Sequence, residues 1–457
     1  MMRELEAREN DAGQVATEAS VGLRLTWPWW LHPALLAFAI PTGLTLYCLS
    51  LPSSAFADWG VPKVLSGNSA VLLIVGACAF ALAIAVASWR PTSSRSATIT
   101  LSPRQVEYLG RATRTLFILT VAGYVIWATS AALRGATLSQ LLAILQFEPG
   151  AVSALKKNAT PIGGITTITQ FGPVVAALCM IRMRLVPDAR SEKTYLYIVL
   201  ALAALRSFLY AERLALIEVL GPVVVVAAVC RPKGGRRPVW IEGAIKLAPL
   251  LALPALWTFF AIFEYSRSWL TVGATSGDSF FQYVTSRVSG YYITAVNNSA
   301  LFVDASDVYG YPTSYSLKFL WSFPATAQFM EFIVGDKGAP WWQDFLKNQA
   351  NPEYNSPGSF LVTYAELGLV GMLVFWILLG LAIGRAYRAM RLGSLVGLLV
   401  TSVCLVPVLE LPRIIYWAEG RSTPVWLACL VLAHGLRLRR PVQPARKLLQ
   451  PEVRRTR

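Results

Sequence analysis

The sequence predicts an all-α polytopic membrane protein of about ten transmembrane helices, with a large, loop-rich extracytoplasmic cap between the seventh and the eighth. Three observations predict it: a composition too apolar for water, apolar runs of bilayer length, and basic residues confined to alternate connections. Of 457 residues, 55% are hydrophobic and 14% charged, where a soluble domain carries about 25% charged residues. The surplus apolar surface requires lipid. A formal charge of +16 raises nucleic acid as a partner, but that needs bases gathered on one wet face. Here they lie in short segments between apolar runs, which excludes nucleic acid and matches connections kept on the cytosolic side.

Residues 1–26 mix acids and bases around no apolar centre, so 1–28 is expected to be a flexible cytosolic tail and the first helix an uncleaved anchor. Apolar runs near 29–51, 67–89, 115–133, 164–181, 194–210, 213–230 and 245–263 then supply helices 1 to 7 within 29–263. Runs near 359–383, 394–411 and 422–436 supply helices 8 to 10 within 359–436, and a basic cytosolic tail follows at 437–457. With both termini cytosolic, the inner segments hold 28 of the 41 Lys and Arg but 10 of the 25 acids, the asymmetry expected of a positive interior. Two outer segments exceed a turn, 134–163 and 264–358. The second holds 95 residues, 20 of them aromatic, including Trp269, Tyr291, Tyr292, Trp321, Trp341 and Trp342. Its Gly310-Tyr311-Pro312 and Gly338-Ala339-Pro340 punctuation predicts a cap of loops and short helices.

The six cysteines fall in or beside apolar runs without a CxxC spacing, so they are expected to be small core hydrophobes. His32 and His434 flank the first and last runs, and no metal-ligand cluster assembles by spacing. No cofactor motif is present either.

Ionisable side chains at membrane depth cost about 2.5–3.5 kcal/mol on insertion scales, so those present are functional candidates. Between helices 5 and 6, Arg206, Tyr210 and Arg213 would share one face if the chain were locally helical, and Glu218 follows. Paired guanidinium groups at an outer cavity mouth suit a diphosphate, because their planar forks donate two parallel hydrogen bonds and keep their charge. Interfacial arginines reaching for lipid headgroups give the same pattern. Glu366 lies about two turns into helix 8, either as a general base, as a partner of an arginine, or as an acid complementing the helix dipole. The large loop adds Arg267, Arg287, Glu264, Asp278, Asp304 and Asp307, and Glu410, Arg413, Glu419, Tyr416 and Trp417 cluster after helix 9.

With this topology, several short motifs resemble the Wzy-type oligosaccharide repeat-unit polymerases, the O-antigen polymerase family. They are Ala211-Glu212-Arg213, Ser286-Arg287-Val288-Ser289-Gly290-Tyr291-Tyr292, and Asn351-Pro352-Glu353-Tyr354-Asn355-Ser356-Pro357-Gly358 running into Tyr364-Ala365-Glu366-Leu367-Gly368. The family often has aspartate where this chain has Glu366. The resemblance implies glycosyl transfer between undecaprenyl-diphosphate-linked oligosaccharides at the outer face of the bacterial cytoplasmic membrane, with a chain-length regulator and a flippase as partners. It assigns Arg206, Arg213 and Arg287 to the diphosphates and Glu366, or Glu264 or Asp278, as base. Tyr210, Tyr291, Tyr354, Asn355 and Tyr364 would contact substrate. Arginines that stabilise the leaving diphosphate make such transfer metal-independent.

Three alternatives stay open. A ligase attaching finished polymer to an acceptor shares the architecture. A glycosyltransferase using lipid monophosphates would show acids in the first outer connection, where 52–66 offers only Asp58. A flippase or transporter would carry polar residues and broken helices at the midplane, whereas these charges gather at helix ends.

Overall fold

The computed structural model describes residues 21–89, 96–148, 150–210, 212–231, 237–270, 273, 277–305, 313–334, 345–346 and 348–439. Trp341, Trp342, Asp307, the Gly310 and Gly338 turns, most of the N-terminal tail and most of the C-terminal tail lie outside the described residues, as do the side chains of Arg267 and Asp304.

Every apolar run of the sequence contains a helix. These are α1 (Pro33–Ser50), α2 (Gly67–Ser88), α3 (Pro103–Leu133), α4 (Gly172–Leu185, entered through a 3-10 turn Thr166–Phe171), α5 (Arg190–Tyr210), α6 (Arg213–Val229), α7 (Val239–Lys246), α8 (Ala248–Glu264), α9 (Phe280–Ala305), α10 (Phe360–Arg391), α11 (Leu395–Leu409) and α12 (Thr423–Leu438). Among the described residues six helices are long and apolar enough to cross a membrane, and α7 with α8, bent by 78°, make a seventh if they form one span. Large apolar side chains stay exposed along them, among them Leu82, Val86, Leu253, Val370, Leu378 and Leu430. That much bare hydrocarbon belongs against lipid tails, and the chain is a polytopic α-helical membrane protein.

Two departures from the sequence expectation matter. The end of the tail is ordered: β1 (Val21–Thr26) pairs antiparallel with β2 (Ser96–Leu101), Leu23 opposite Ile99. Val-Gly-Leu-Arg-Leu-Thr alternates, burying Leu23 and Leu25 while Arg24 faces out, and the small sheet closes over the ends of α4 and α6. Inside 264–358, α9 is a 26-residue helix rather than short pieces. It lacks proline and is buried on every side from Ile293 to Phe302, Asn297 and Asn298 included. The Asn297 amide accepts from Val64 N and Leu65 N and donates to Pro62 O, fixing α9 to the α1–α2 connection.

The tightest helix pair is α2 with α10. A Cβ on Gly380 would meet Phe80 O at 2.7 Å, and one on Gly384 would meet Ile84 O at 2.5 Å. Glycines four apart let two backbones approach closely in an apolar solvent, where packing rather than hydrophobic collapse drives association. Phe80 and Phe360 then close on the fully buried Trp376 ring at 5.1 and 4.4 Å. Gly368 interrupts α10 with φ 68°, a conformation only glycine adopts at little cost. The first two turns, with Tyr364 and Glu366, thus form a separate short helix.

Candidate functional site

The polar centre assembles from five elements. α8 ends in Glu264 and widens into a π turn, Tyr265–Trp269, from which Ser268 donates back to Glu264. Arg213 opens α6. Arg287 and Tyr291 lie four apart on α9 and so share a face. Glu353 and Tyr354 sit in a 3-10 turn that the Asn351 side chain caps. Asn298 of α9 holds this segment by donating to Tyr354 O and Ser356 O at 2.7 and 3.3 Å. Arg413 follows α11, and its carbonyl accepts from Gly358 N at 2.9 Å.

Three guanidinium groups converge on the Tyr291 ring, Arg213 at 5.0 Å and Arg287 and Arg413 each at 5.7 Å from its centroid. Arg213 also lies over Phe260 at 4.3 Å and Arg287 over Tyr354 at 5.3 Å. Glu264, with no exposed surface, bridges the first two: one oxygen pairs with Arg213 and the other lies 3.4 Å from Arg287 Nε. Glu410 pairs with Arg413 at 2.8 Å and accepts from the Tyr292 hydroxyl at 3.2 Å. Buried charge is tolerated only when paired, and these two carboxylates leave three arginines one positive charge in excess. The third carboxylate, Glu353, takes a hydrogen bond from Arg287 Nη1, but its side chain is 52% exposed. Arg287 Nη2 is buried without a hydrogen-bond partner.

Burial alone would lower the Arg287 guanidinium, but Glu264, then Tyr354 and the Glu353 hydrogen bond, raise it above its ordinary value. Burial pushes the Tyr354 phenol up to about 12 against the pull of Arg287, so it stays a neutral donor. Fixed cations around aromatic faces, one closed only by a half-exposed carboxylate, form a ready receptor for a multiply charged anion.

A cavity of about 260 Å³ is lined by Tyr315, Lys318, Asn355, Gly358, Ile415 and Glu419 among others. Its lining residues are chain neighbours of the arginine centre, Asn355 next to Tyr354 and Ile414 next to Arg413. Glu366 fixes one wall: its oxygens accept from Tyr315 N and Ser316 N, each at 2.8 Å, and from the Ser314 hydroxyl at 3.2 Å. Its carboxylate is occupied by the 314–316 backbone, and no described arginine pairs with it. Tyr364, half-buried, packs into the adjoining core.

The structure therefore brings together Arg213, Arg287, Tyr291 and Tyr354, and puts Asn355 beside them. It separates Arg206 and Tyr210, correcting the expectation of one shared face. The helix stops at Tyr210 and restarts at Arg213, with Glu212 non-helical (φ −98°, ψ 75°), and this turns Arg213 away. Arg206 instead grips Glu212 through Nε at 2.9 Å and reaches Thr169 at 3.3 Å, while Tyr210 packs edge-on against Trp127. Asp278 is exposed ahead of α9. The hub role of Glu264 and the place of Glu353 were not legible, because a lone glutamate in a loop carries no spacing signal. Compared with known proteins, the chain matches no family model, no curated protein and no solved structure.

Proposed function

We propose that this protein is a membrane glycosyltransferase that polymerises undecaprenyl-diphosphate-linked oligosaccharide repeat units into surface polysaccharide. The observation that carries the reading is the convergence of Arg213, Arg287 and Arg413 on Tyr291, with two buried carboxylates among them and the third, Glu353, half-exposed. In this reading, α6, α11 and α12, of 17, 15 and 16 residues, also cross the membrane and complete ten spans. Both termini are cytosolic, 264–358 lies outside the bacterial inner membrane, and a flippase and a chain-length regulator act beside the enzyme.

An acceptor sugar hydroxyl attacks the anomeric carbon of the lipid-linked glycan. The new C–O bond forms as the bond to the diphosphate breaks, and the bonding pair leaves with the lipid diphosphate. Negative charge grows on that group, where preorganised guanidinium donors lower the barrier most. Arg213 and Arg287 bind the diphosphate, Arg413 adds positive field, and the neutral Tyr354 hydroxyl donates to it. The Glu366 carboxylate is tied to Ser314, Tyr315 and Ser316, so its part is to hold the cavity wall, and the hydroxyl proton passes to the departing diphosphate.

The test is deletion of the gene in its host, followed by gel analysis of surface polysaccharide. Loss of the ladder with single capped repeats retained is the expected result, whereas loss of both would indicate a flippase. Complementation with Arg213→Ala, and then Arg213→Lys, should not restore the ladder. Full-length polymer from both variants at normal expression refutes the assignment.

A further inference from the structure

A second cavity, about 200 Å³, lies apart from the arginine centre among Trp127 of α3, the Thr166–Phe171 turn, Arg206 of α5, Glu212 and Arg421. We propose that it is a binding site for a single neutral polyhydroxylated ring, a pyranose unit, and not for an anion. The volume is below the roughly 300 Å³ at which drug-sized pockets begin, so one ring fills it.

The charge balance argues against a phosphate. Arg206 is paired with Glu212, and Arg421 with the buried Glu218, which also accepts from the Tyr416 hydroxyl. Each of the two arginines is already matched by a carboxylate, so an incoming anion would have to break a pair without compensation. The hydrogen-bonding groups point the same way. The hydroxyls of Thr166 and Thr167 donate their protons to Ile162 O and Gly164 O at 2.9 and 2.6 Å. Toward a ligand they therefore offer lone pairs alone. Glu212 adds a second oxygen that Arg206 does not use. An anion has no proton to give such acceptors, whereas a sugar hydroxyl both gives and receives.

The group that most needs a ligand is Gln170. It is 5% exposed, lines this cavity, and makes no side-chain hydrogen bond. Its amide opens onto the cavity, where a ring bearing adjacent hydroxyls would satisfy its donor and acceptor together. The Trp127 indole, its N–H tied to Ala159 O at 2.9 Å, is fixed as an apolar wall for the ring's C–H face.

The site is tested on the full-length protein in lipid nanodiscs by saturation-transfer NMR with a panel of free methyl pyranosides: glucoside, galactoside, mannoside, rhamnoside and N-acetylglucosaminide. At least one should receive saturation, and Gln170→Leu should weaken its binding by about tenfold, the worth of one hydrogen bond in such a site. Should Gln170→Leu fail to fold, Thr167→Val is judged by the same criterion. Absence of transfer to every glycoside, equal binding by the variant, or displacement by inorganic pyrophosphate would overturn the proposal. Binding here is read without any transfer reaction. A negative result leaves the diphosphate reading standing, and polymer made by Arg213→Ala leaves this one standing.

Discussion

Arg287 sits between two carboxylates of the same chemistry and opposite exposure, and that contrast yields the sharpest prediction. Glu264 has no exposed surface and neutralises two buried guanidinium groups, whereas Glu353 is 52% exposed and neutralises one. If the arginine centre receives a diphosphate, Glu353 stands where a phosphate oxygen would go. Two negative charges about 5 Å apart at an effective dielectric near 20 repel by roughly 3 kcal/mol. Solvent reaching a half-exposed carboxylate reduces this to about half. Glu353→Gln should therefore tighten binding of a soluble isoprenyl diphosphate such as geranyl diphosphate by about tenfold, with a melting temperature near wild type. Glu264→Gln, leaving two buried arginines without their shared anion, should destabilise the fold by about 3–5 kcal/mol. The assay is calorimetric titration of both variants in nanodiscs alongside thermal melts. Unchanged or weaker binding by Glu353→Gln would refute the placement of the anion beside Arg287, and an undisturbed melt for Glu264→Gln would refute the bridging pair.

Three further outcomes are expected. Gly384→Leu places side-chain atoms where Ile84 O already stands 2.5 Å from a Cβ, so overpacking should cost about 1–3 kcal/mol, read as a lower melting temperature in detergent. Glu366→Gln keeps the shape but sets an amide N–H₂ against the Tyr315 or Ser316 N–H. A loss of about 1–3 kcal/mol and faster proteolysis within 313–322 should follow. Burial raises the Glu212 carboxylate, but Arg206 and then Arg421 outweigh it, so it titrates below its ordinary value. The pair's contribution is thus complete above the unfolded carboxylate pKa and lost as pH falls through the lowered one. The melting difference between wild type and Glu212→Gln should be largest at neutral pH and vanish in acid.

Membrane character was legible because it is written in composition and run length, properties that survive ignorance of every contact. The existence of helices at all ten apolar runs follows from the same signal. Two features were hidden for a physical reason each. β1 is six residues long, and its alternation is outvoted by the charges preceding it unless the partner strand is known. α9 was obscured by aromatic and polar residues such as Tyr291, Asn297 and Asn298, which look like loop until a neighbouring backbone satisfies them. In the site, residues four apart on an unbroken helix, Arg287 and Tyr291, stay together. Arg206 and Arg213, seven apart across a break, do not.

That break is what gives the protein two polar centres in place of one. Had α5 run on through residue 213, Arg206 and Arg213 would have shared a face, crowding four cations around Tyr291 against the same carboxylates. Ending the helix at Tyr210 sends Arg206 to Glu212 and the Trp127 wall, and Arg213 to Glu264 and the Tyr291 ring. One centre leaves the balancing of its third arginine to a half-exposed carboxylate, whereas in the other each arginine has a carboxylate of its own. On the proposed reading, an anionic carrier and an uncharged ring have separate places to go, and the two residues between Tyr210 and Arg213 set the division. Glu212→Ala, which puts two strong helix formers in a row between Tyr210 and Arg213, should extend α5, free Arg206 from its carboxylate, and weaken glycoside binding in the cavity beside Trp127. Retention of wild-type glycoside affinity in that variant would show that the helix break is incidental to the partition.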